Sequence, residues 1–581
     1  MREAFAANGR LLLSVFGFSA AMSLLTLTTS FYMLEVYDRV LTSRSQETLL
    51  LLTLIAVGAL AIMGVLDSLR LRILMRIGLR IGDALAARAL RAMVATNSQN
   101  GGMTVRSGLR DIDSVRNFVA SQSFATLIDM PFASILLVAL FFLHPYYLII
   151  VLIGGGILVG LAMINNRVTG KITVESIGQS MRAHNFAEDG LRNSDVLEGM
   201  GMSSTFVDRW RKQWITSLRT STRASDRDAR LSAASKAIRL LIQVALMAMG
   251  AVLILDYRAT GGIMLGATII GSRALQPFEQ AVGMWKNVIA VRLARTRLSE
   301  LLLNAPMREE GMKLPAPTGQ LQVNGIHYVP QGARKPILSN ITFELAAGEA
   351  LGIIGPSAAG KSTLARLLVG AWPPSAGVVR LDGANIYAWP RQELSRYIGY
   401  LPQDVELFSG TVRDNIARMS EGDPEAVVRA AELAHAHQMI LGLPKGYDTE
   451  IGAGGHRLSA GQSQRIGLAR ALYGDPRFVV LDEPNSNLDS PGEEALIQTI
   501  TELKQMGVTI VVIAHRPSVL ADVDKMLVLQ ANGAMAAFGS KAEVLAQYSR
   551  SPSARPQQTA NVVPLSTVHG GAVEPTGSAS S

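Results

Sequence analysis

Long apolar stretches occur only in the first 300 residues of the chain. They cover residues 11–37, 49–66, 132–143, 146–164, 240–255 and 263–289. A bilayer core about 30 Å thick is crossed by roughly 20 helical residues, so each stretch, extended by its flanks, is long enough for one span. The sixth stretch holds Arg273, Glu279 and Lys286 and fits only if this polar face turns inward. The pattern predicts six membrane-spanning helices; the alternative, a large soluble helical protein, is disfavoured by uncharged runs such as 49–66.

Lysine and arginine are spread unequally between the connections. Residues 67–131 and 165–239 are rich in arginine. The connections on the opposite side hold only Arg39, Arg44 and Arg258. Because basic residues stay on the cytoplasmic side, this asymmetry predicts that both long connections, the N-terminus and everything after residue 290 are cytoplasmic. The two long connections are amphipathic, so we expect them to be helices that continue the spans beyond the membrane.

The composition of the 581 residues narrows the possible chemistry. Cysteine is absent, which excludes disulfides, zinc–thiolate sites, iron–sulfur clusters and a cysteine nucleophile. Hydrophobic residues make up 49% and charged residues 17%, which excludes an overall disordered chain. The formal net charge of +9 is explained by the arginine-rich connections, so no nucleic-acid partner is expected.

The pattern changes after a cluster of proline and glycine near residues 304–319. Short apolar runs then alternate with helical segments, which is typical of an α/β domain with a mainly parallel sheet. The last residues are rich in Ser, Pro, Gly and Thr and predict a disordered tail. The expected organisation is a helical membrane domain at 1–304, a linker at 305–319, an α/β domain at 320–548 and a tail at 549–581.

A phosphate-binding loop lies near the start of the α/β domain. Residues 355–362 match G-x-x-x-x-G-K-[ST], follow the apolar strand 351–354 and precede a helix, which is the context this motif requires. Backbone N–H groups of such a loop converge on phosphate oxygens, Lys361 reaches the β- and γ-phosphates, and the hydroxyl of Ser362 ligates Mg²⁺. The predicted ATP-binding residues here are Gly355, Pro356, Ser357, Ala358, Ala359, Gly360, Lys361, Ser362 and Thr363.

Two carboxylates end a second apolar strand at residues 478–481. Asp482 is placed to hold Mg²⁺ through water, and Glu483 to polarise a water for attack on the γ-phosphate. A lone strand that ends in Asp-Glu is usually no more than a turn, but paired with a phosphate loop it predicts a hydrolytic site.

A third motif, Leu458-Ser459-Ala460-Gly461-Gln462, lies between these two and offers a second set of phosphate donors. One nucleotide cannot easily use both sets within one domain. The order of phosphate loop, Leu-Ser-x-Gly-Gln and Asp-Glu resembles the ATPase of ABC transporters. The resemblance implies that Ser459, Ala460, Gly461 and Gln462 also bind the nucleotide.

Other residues extend this resemblance. Gln403 resembles the Q-loop glutamine that links Mg²⁺ to the membrane part, which implies a metal-binding and catalytic role. Residues 486–489 resemble the D-loop. His515 resembles the switch histidine that contacts the γ-phosphate, so it is implied to be catalytic together with Glu483. Tyr328 stands where the family stacks an aromatic ring on adenine.

The resemblance also implies a homodimer. In this family two ATPase domains face head to tail, and each ATP lies between the phosphate loop of one and the Leu-Ser-x-Gly-Gln segment of the other. The chain holds one of each, so a closed two-fold dimer would complete both sites. Ala460 replaces the more common glycine, and Ser463 stands where a basic residue is frequent. Alanine has no bulky side chain, so we expect closure of the site to survive the first change, with an altered grip on the nucleotide as the possible cost.

A chain in which the membrane spans come first and the ATPase domain second resembles the ABC exporters. Residues 33–41, 129–132 and 481–489 narrow this to the type I secretion ATPases of the protease and repeats-in-toxin family, over about residues 10–548. This implies a multi-pass protein of the bacterial inner membrane, surrounded by membrane lipid, with its ATPase domain in the cytoplasm. The substrate would be an unfolded protein with an uncleaved C-terminal signal, passed on through a periplasmic membrane-fusion adaptor and an outer-membrane channel.

Two alternatives stay open from the sequence. One is an exporter of lipid, peptide or small molecules with the same fold. The other is a membrane-bound regulatory ATPase that moves nothing, which the intact phosphate loop and acid disfavour. Charged residues inside spans are costly and often functional. Asp129 either faces a translocation path or lies at the membrane edge, and Arg273 and Glu279 either line that path or pair with each other.

Overall fold

The computed structural model describes residues 6–99, 107–305, 314–330, 332–452 and 455–550. The chain divides into two compact units, Met1–Met307 and Arg308–Ser581, which are described separately below. Most of the predicted linker and all but the first two residues of the predicted tail at 549–581 lie outside the described residues.

The first unit is helical throughout its described part. A π-helical segment (Val36–Val40) follows the first helix, and a 3₁₀ turn (Met130–Phe132) follows the fifth. The α-helices are α1 (Gly9–Glu35), α2 (Leu41–Ser43), α3 (Gln46–Gln99), α4 (Gly108–Val119), α5 (Gln122–Asp129), α6 (Ala133–Leu143), α7 (Pro145–Arg192), α8 (Ser194–Gly199), α9 (Ser203–Leu255) and α10 (Gly261–Asn304).

The three longest helices of the described chain far exceed the thickness of a bilayer. α3, α7 and α9 have 54, 48 and 53 residues. At 1.5 Å per residue each is roughly 70–80 Å long, against about 30 Å of hydrocarbon. Each of these helices runs without a break from an apolar stretch into one of the two long connections. Against the extension of α3, side chains of α4 and α10 form a packed apolar cluster that includes Leu85, Val115 and Leu298.

Among the residues that the structure describes, five helical stretches are long and apolar enough to cross a membrane: Gly9–Ser43, Gln46–Ser98, Gln122–Leu143, Pro145–Arg192 and Ser203–Leu255. In the most apolar window of the second stretch 0% of the residues are buried inside the chain. Apolar surface of that extent suits a lipid environment and argues against the soluble alternative. The sixth predicted span is also helical, as the 44-residue α10, but it is more polar and contains Pro277.

Arg273 and Glu279 of α10 have other partners than one of the two sequence-based alternatives predicts. Glu279 forms an ion pair with the Nε of Arg239 on α9, and Arg239 also donates to the hydroxyl of Ser272 at 3.1 Å. Arg273 donates to Gln276 on its own helix at 3.3 Å. The predicted alternative that Arg273 pairs with Glu279 is therefore wrong. Residues six apart on a helix point to different faces, whereas neighbours on one face are three or four apart.

The second unit contains two larger sheets and a short pair. The six-stranded sheet has the order β12-β11-β3-β10-β9-β6, in which only the edge strand β12 is antiparallel to its neighbour. The antiparallel sheet has the order β2-β1-β4-β5, and β7 pairs with β8. The strands are β1 (Leu321–Tyr328), β2 (Leu338–Leu345), β3 (Ala350–Ile354), β4 (Ala376–Leu381), β5 (Ala384–Asn385), β6 (Ile398–Leu401), β7 (Gly410–Thr411), β8 (Glu450–Ile451), β9 (Phe478–Asp482), β10 (Thr509–Ile513), β11 (Lys525–Leu529) and β12 (Met535–Ser540).

Helices cover the six-stranded sheet on both faces. Alternate residues of its central strands enter two separate apolar clusters, so that Val479 and Leu481 belong to one and Phe478 and Val480 to the other. This explains why β9 and β10 are apolar at nearly every position, as in a doubly covered parallel sheet. The helices are α11 (Lys361–Leu368), α12 (Arg391–Leu394), α13 (Val412–Ile416), α14 (Pro424–Leu433), α15 (His437–Leu441), α16 (Ala460–Leu472), α17 (Ser490–Gln505) and α18 (Lys541–Arg550), with a 3₁₀ turn at Gly446–Asp448.

Candidate nucleotide-binding site

The phosphate loop joins the end of β3 to the start of α11. Gly360 precedes the helix with φ +89°, and a Cβ at this position would lie 2.9 Å from the Cδ2 of Leu338 and 3.2 Å from the carbonyl oxygen of Ile337. Ala358 is also left-handed, with φ +65°. These turns bring the first turn of α11 to the carboxyl edge of the sheet, where its free N–H groups can bind an anion.

Lys361 lies over its own loop. The side chain is 6% exposed, and its Nζ donates to the carbonyl oxygens of Gly355 and Pro356, both at 3.0 Å. Burial lowers the pKa of Lys361, while the carboxylates of Glu483 and Asp482 act in the opposite direction. A positive charge held among carboxylates at a helix start suits the β- and γ-phosphates of a nucleotide.

Asp482 ends β9 beside the phosphate loop. The residue is 1% exposed, and its Oδ1 has no hydrogen-bond partner within the described chain. Burial raises the pKa of Asp482. A hydrogen bond from Ser362 acts in the opposite direction, because it stabilises the carboxylate. A buried carboxylate oxygen without a donor, next to a serine hydroxyl, is the kind of oxygen ligand that Mg²⁺ takes.

No cluster of three or more His, Cys, Asp or Glu that could hold a metal occurs among the residues that the structure describes. Ser362 and Asp482 are the residues that would hold Mg²⁺ here, together with oxygens of water and of a bound nucleotide, the kind of ligands that this ion usually takes.

The carboxylate of Glu483, the next residue, lies between two other predicted site residues, Gln403 and His515. Its Oε2 accepts from the Nε2 of Gln403 at 3.1 Å, and its Oε1 lies 3.2 Å from the Nε2 of His515. Its backbone is left-handed, with φ +49°, a conformation that costs about 1–3 kcal/mol for residues other than glycine. The parallel order β3-β10-β9-β6 places these groups together, because His515, Glu483 and Gln403 each follow one of the strands.

One cavity of about 950 Å³ unites half of the predicted site residues. Its wall contains Ser357, Ala358, Gly360, Lys361, Ser362, Thr363, Gln403, Glu483 and His515. Sequence reasoning missed the other lining residues, which are Lys335, Pro336, Ile337, Ser339, Ala531 and Asn532. No motif marks them; they meet because the N–H of Ser339 on β2 donates to the carbonyl oxygen of Gly533 at 3.0 Å, in the turn between β11 and β12.

Tyr328 is not part of the wall of this cavity. It is 7% exposed, and its ring stacks on Trp372 with centroids 5.2 Å apart. The guanidinium of Arg366 covers Trp372 at 4.8 Å from the ring centroid. Little of the Tyr328 ring is left for a base, so its stacking on adenine stays a prediction.

The segment 459–462 also lies away from the cavity wall. Ser459 and Gln462 form a capping box at the start of α16, in which the hydroxyl accepts from the N–H of Gln462 at 3.2 Å and the side chain of Gln462 accepts from the N–H of Ser459 at 2.9 Å. Ser459 and Ala460 are exposed. The second set of phosphate donors thus forms a helix start on the surface, separate from the first set.

Comparisons with known proteins agree with this architecture. The profile of the ABC transporter transmembrane region matches residues 12–270, and the ABC transporter profile matches residues 338–486. The structure of a bacterial Atm1-family ABC exporter with ATP bound superposes with a TM-score of 0.77 over 93% of this chain and 97% of that one, at 23% identity, and so shares the fold.

Two relatives are similar along most of the chain. The leukotoxin translocation ATP-binding protein LktB of Mannheimia haemolytica is 27% identical over 88% of this chain and 73% of its own length. The type I secretion system ATP-binding protein PrsD of Rhizobium meliloti (strain 1021) is 42% identical over 94% of both chains. The chain therefore belongs to the ABC transporter family and, within it, to the ATP-binding proteins of type I secretion systems.

Proposed function

We propose that this protein hydrolyses ATP to export an unfolded protein across the bacterial inner membrane, as the energising component of a type I secretion system. The observation that carries the proposal is the cavity in which the phosphate loop, Gln403, Glu483 and His515 meet, while Ser459 and Ala460 are exposed away from that cavity. The similarity to PrsD and LktB supports protein as the exported cargo.

The active species in this proposal is a homodimer. ATP bound to the phosphate loop of one copy is closed by Ser459, Ala460, Gly461 and Gln462 of the second copy, whose helix start offers free N–H groups to the phosphates. ATP then holds the two ATPase units together, and hydrolysis releases them. Two positions of the ATPase units would bias two states of the membrane-spanning helices.

Hydrolysis follows from the side chains of the cavity. Lys361 and the N–H groups of the phosphate loop bind and orient the phosphates. Ser362, Asp482 and Gln403 would hold Mg²⁺, which neutralises charge on the β- and γ-phosphates when bound. Glu483 takes the proton of the attacking water, and His515, whose Nε2 lies 3.2 Å from the Oε1 of Glu483, keeps that carboxylate oriented and reaches the γ-phosphate.

The location follows from the basic connections. The arginine-rich extensions of α3, α7 and α9 and the ATPase unit would be cytoplasmic, with the short connections in the periplasm. A periplasmic membrane-fusion adaptor and an outer-membrane channel would receive the cargo. Its C-terminal signal would be recognised before export and remain uncleaved.

One feature favours the alternative cargo, a lipid or other apolar molecule. An apolar cavity of about 330 Å³ lies between α1, α6 and α10, lined by residues such as Leu34, Phe142 and Ile270. The two cargo classes are separated by the ATPase activity of the purified protein in lipid nanodiscs. We expect the C-terminal segment of a co-encoded secreted protein to change that activity, and added lipid to change it little. Strong stimulation by lipid with no response to any such segment would favour the alternative.

A further inference from the structure

A buried amide links the helix α16 to the loop that follows β9. Gln464 is 1% exposed. Its Nε2 donates to the carbonyl oxygen of Pro484 at 2.8 Å and lies 3.5 Å from that of Glu483. Its Oε1 accepts from the Nδ2 of Asn487 at 3.2 Å. Both polar ends of this side chain are therefore bonded to the loop 483–487.

The loop needs such support because Glu483 has a left-handed backbone, with φ +49°. Strained conformations persist only where the surroundings hold them in place. The N–H of Glu483 donates to the carbonyl oxygen of Ile513 at 2.9 Å, and its own carbonyl accepts from the N–H of Ser486 at 3.2 Å. Gln464 adds a side-chain bond to the peptide that follows. Without that bond the segment is free to relax, and the Glu483 carboxylate would move with it.

Gln464 lies on α16, the same helix whose start is formed by the segment 459–462 with its exposed phosphate donors. The carbonyl oxygen of Asn487 lies 3.0 Å from the position that a Cβ on Gly461 would take. The start of the helix and the loop are thus in close contact. A shift of the helix start reaches the loop through the Gln464 amide and this contact together.

We propose that Gln464 is a positioning residue for Glu483. Its amide fixes the peptide after the general base and transmits the position of the helix start to that base. The inference rests on the proposed function, in which the segment 459–462 of one copy holds the ATP of the opposite site. The Gln464 amide then couples the grip on ATP in one site to the orientation of the base in the other.

The test compares ATP hydrolysis by the full-length dimer in nanodiscs. Gln464→Met keeps the length of the side chain and removes both hydrogen bonds. We expect kcat to fall about tenfold, the scale of a misplaced general base, with the KM for ATP within about twofold. Cooperativity between the two sites should also fall, towards a Hill coefficient of one. Asn487→Ala removes only the weaker bond, so its kcat should fall less than that of Gln464→Met.

Thr499→Val is the matched control. Thr499 is 0% exposed, and its hydroxyl donates to the carbonyl oxygen of Leu433 at 2.9 Å, away from the cavity. This variant should lose thermal stability with an unchanged kcat. If Gln464→Met behaves in the same way, the proposal is overturned. Glu483→Gln distinguishes a failure of the proposed function from a failure of the role of Gln464. Continued ATP turnover in Glu483→Gln refutes the proposed function. Loss of turnover in Glu483→Gln together with normal turnover in Gln464→Met refutes only the role of Gln464.

Discussion

The Nη1 of Arg70 lies 2.6 Å from the Oδ1 of Asp129, and this pair joins α3 to the end of α5. Arg70 is 1% exposed and also contacts Asp67 at 2.7 Å and the hydroxyl of Ser19 at 3.2 Å. One buried guanidinium thus connects α1, α3 and α5. The sequence alone left the role of Asp129 open. In the structure its carboxylate pairs with Arg70 of the same chain.

We expect Asp129→Ala to destabilise the membrane unit, because Arg70 would keep a buried charge with one partner fewer. Breaking a buried pair in this way costs about 3–5 kcal/mol, and the remaining contact with Asp67 puts the expectation at the lower end. Thermal unfolding of the purified protein measures the effect. Asp113→Ala is the control, since its pair with Arg116 is exposed and worth less than about 1 kcal/mol. Equal stability of the two variants would contradict the structural role of Arg70.

Gly262 of α10 is expected to accept no side chain, because a Cβ there would lie 2.6 Å from the Cγ of Asp38. Asp38 stands in the π-helical segment after α1 and accepts from the N–H of Gly262 at 2.9 Å and from the hydroxyl of Thr260. Gly262→Ala should therefore separate the ends of α1 and α10, lower the unfolding temperature and reduce export. Gly261→Ala, with no atom within 4 Å of its Cβ, is the neighbouring control and should be neutral. Normal export by both variants would count against this contact.

Glu483→Gln should lower kcat for ATP by about 10²–10⁴-fold, because an amide cannot take the proton of the attacking water. The amide oxygen can still accept the hydrogen bond from Gln403, so the site should keep its shape and binding of ATP should persist. The expected result is a stable ATP-bound dimer, detected by size-exclusion chromatography with retained radiolabelled nucleotide. Rapid turnover in this variant would remove Glu483 from its assigned role.

Asp482→Asn should raise the stability of the nucleotide-free protein at neutral pH while it abolishes hydrolysis. Burial raises the pKa of Asp482, so the folded protein gives up this proton less readily than the unfolded chain. The stability of the wild type therefore falls as pH rises through the pKa of the folded state, and the neutral amide escapes this loss. Unfolding temperatures at pH 7 and near pH 4 measure it: the advantage of the variant should shrink at the lower pH. A variant less stable than wild type at pH 7 would contradict the account.

The parts of this protein that could be predicted from sequence are those with local signals. The spans follow from uninterrupted apolar residues, and the loop around Lys361 follows from spacing and its strand–helix context. The pair Arg239–Glu279 could not be predicted, because it depends on how α9 packs on α10. Tyr328 shows the same limit, since its stacking on Trp372 joins two segments with no shared motif.

Gln464 could not be predicted from the sequence for a related reason. It follows the Leu-Ser-Ala-Gly-Gln segment and carries no signal of its own in the sequence. Its importance arises from burial and from bonds to the loop after β9, which lies about 20 residues further along the chain.

The central claim is that each hydrolytic site is built from two copies of the chain, and mixing two inactive variants tests it most directly. Lys361→Ala removes a phosphate contact, and Ala460→Glu places a carboxylate at the exposed helix start, where it is tolerated by the helix but repels phosphate. Co-reconstituted in nanodiscs, the two variants form dimers in which one site combines two intact halves. The account predicts that the mixture recovers ATPase activity that neither variant has alone. A mixture that forms dimers and stays inactive would contradict it.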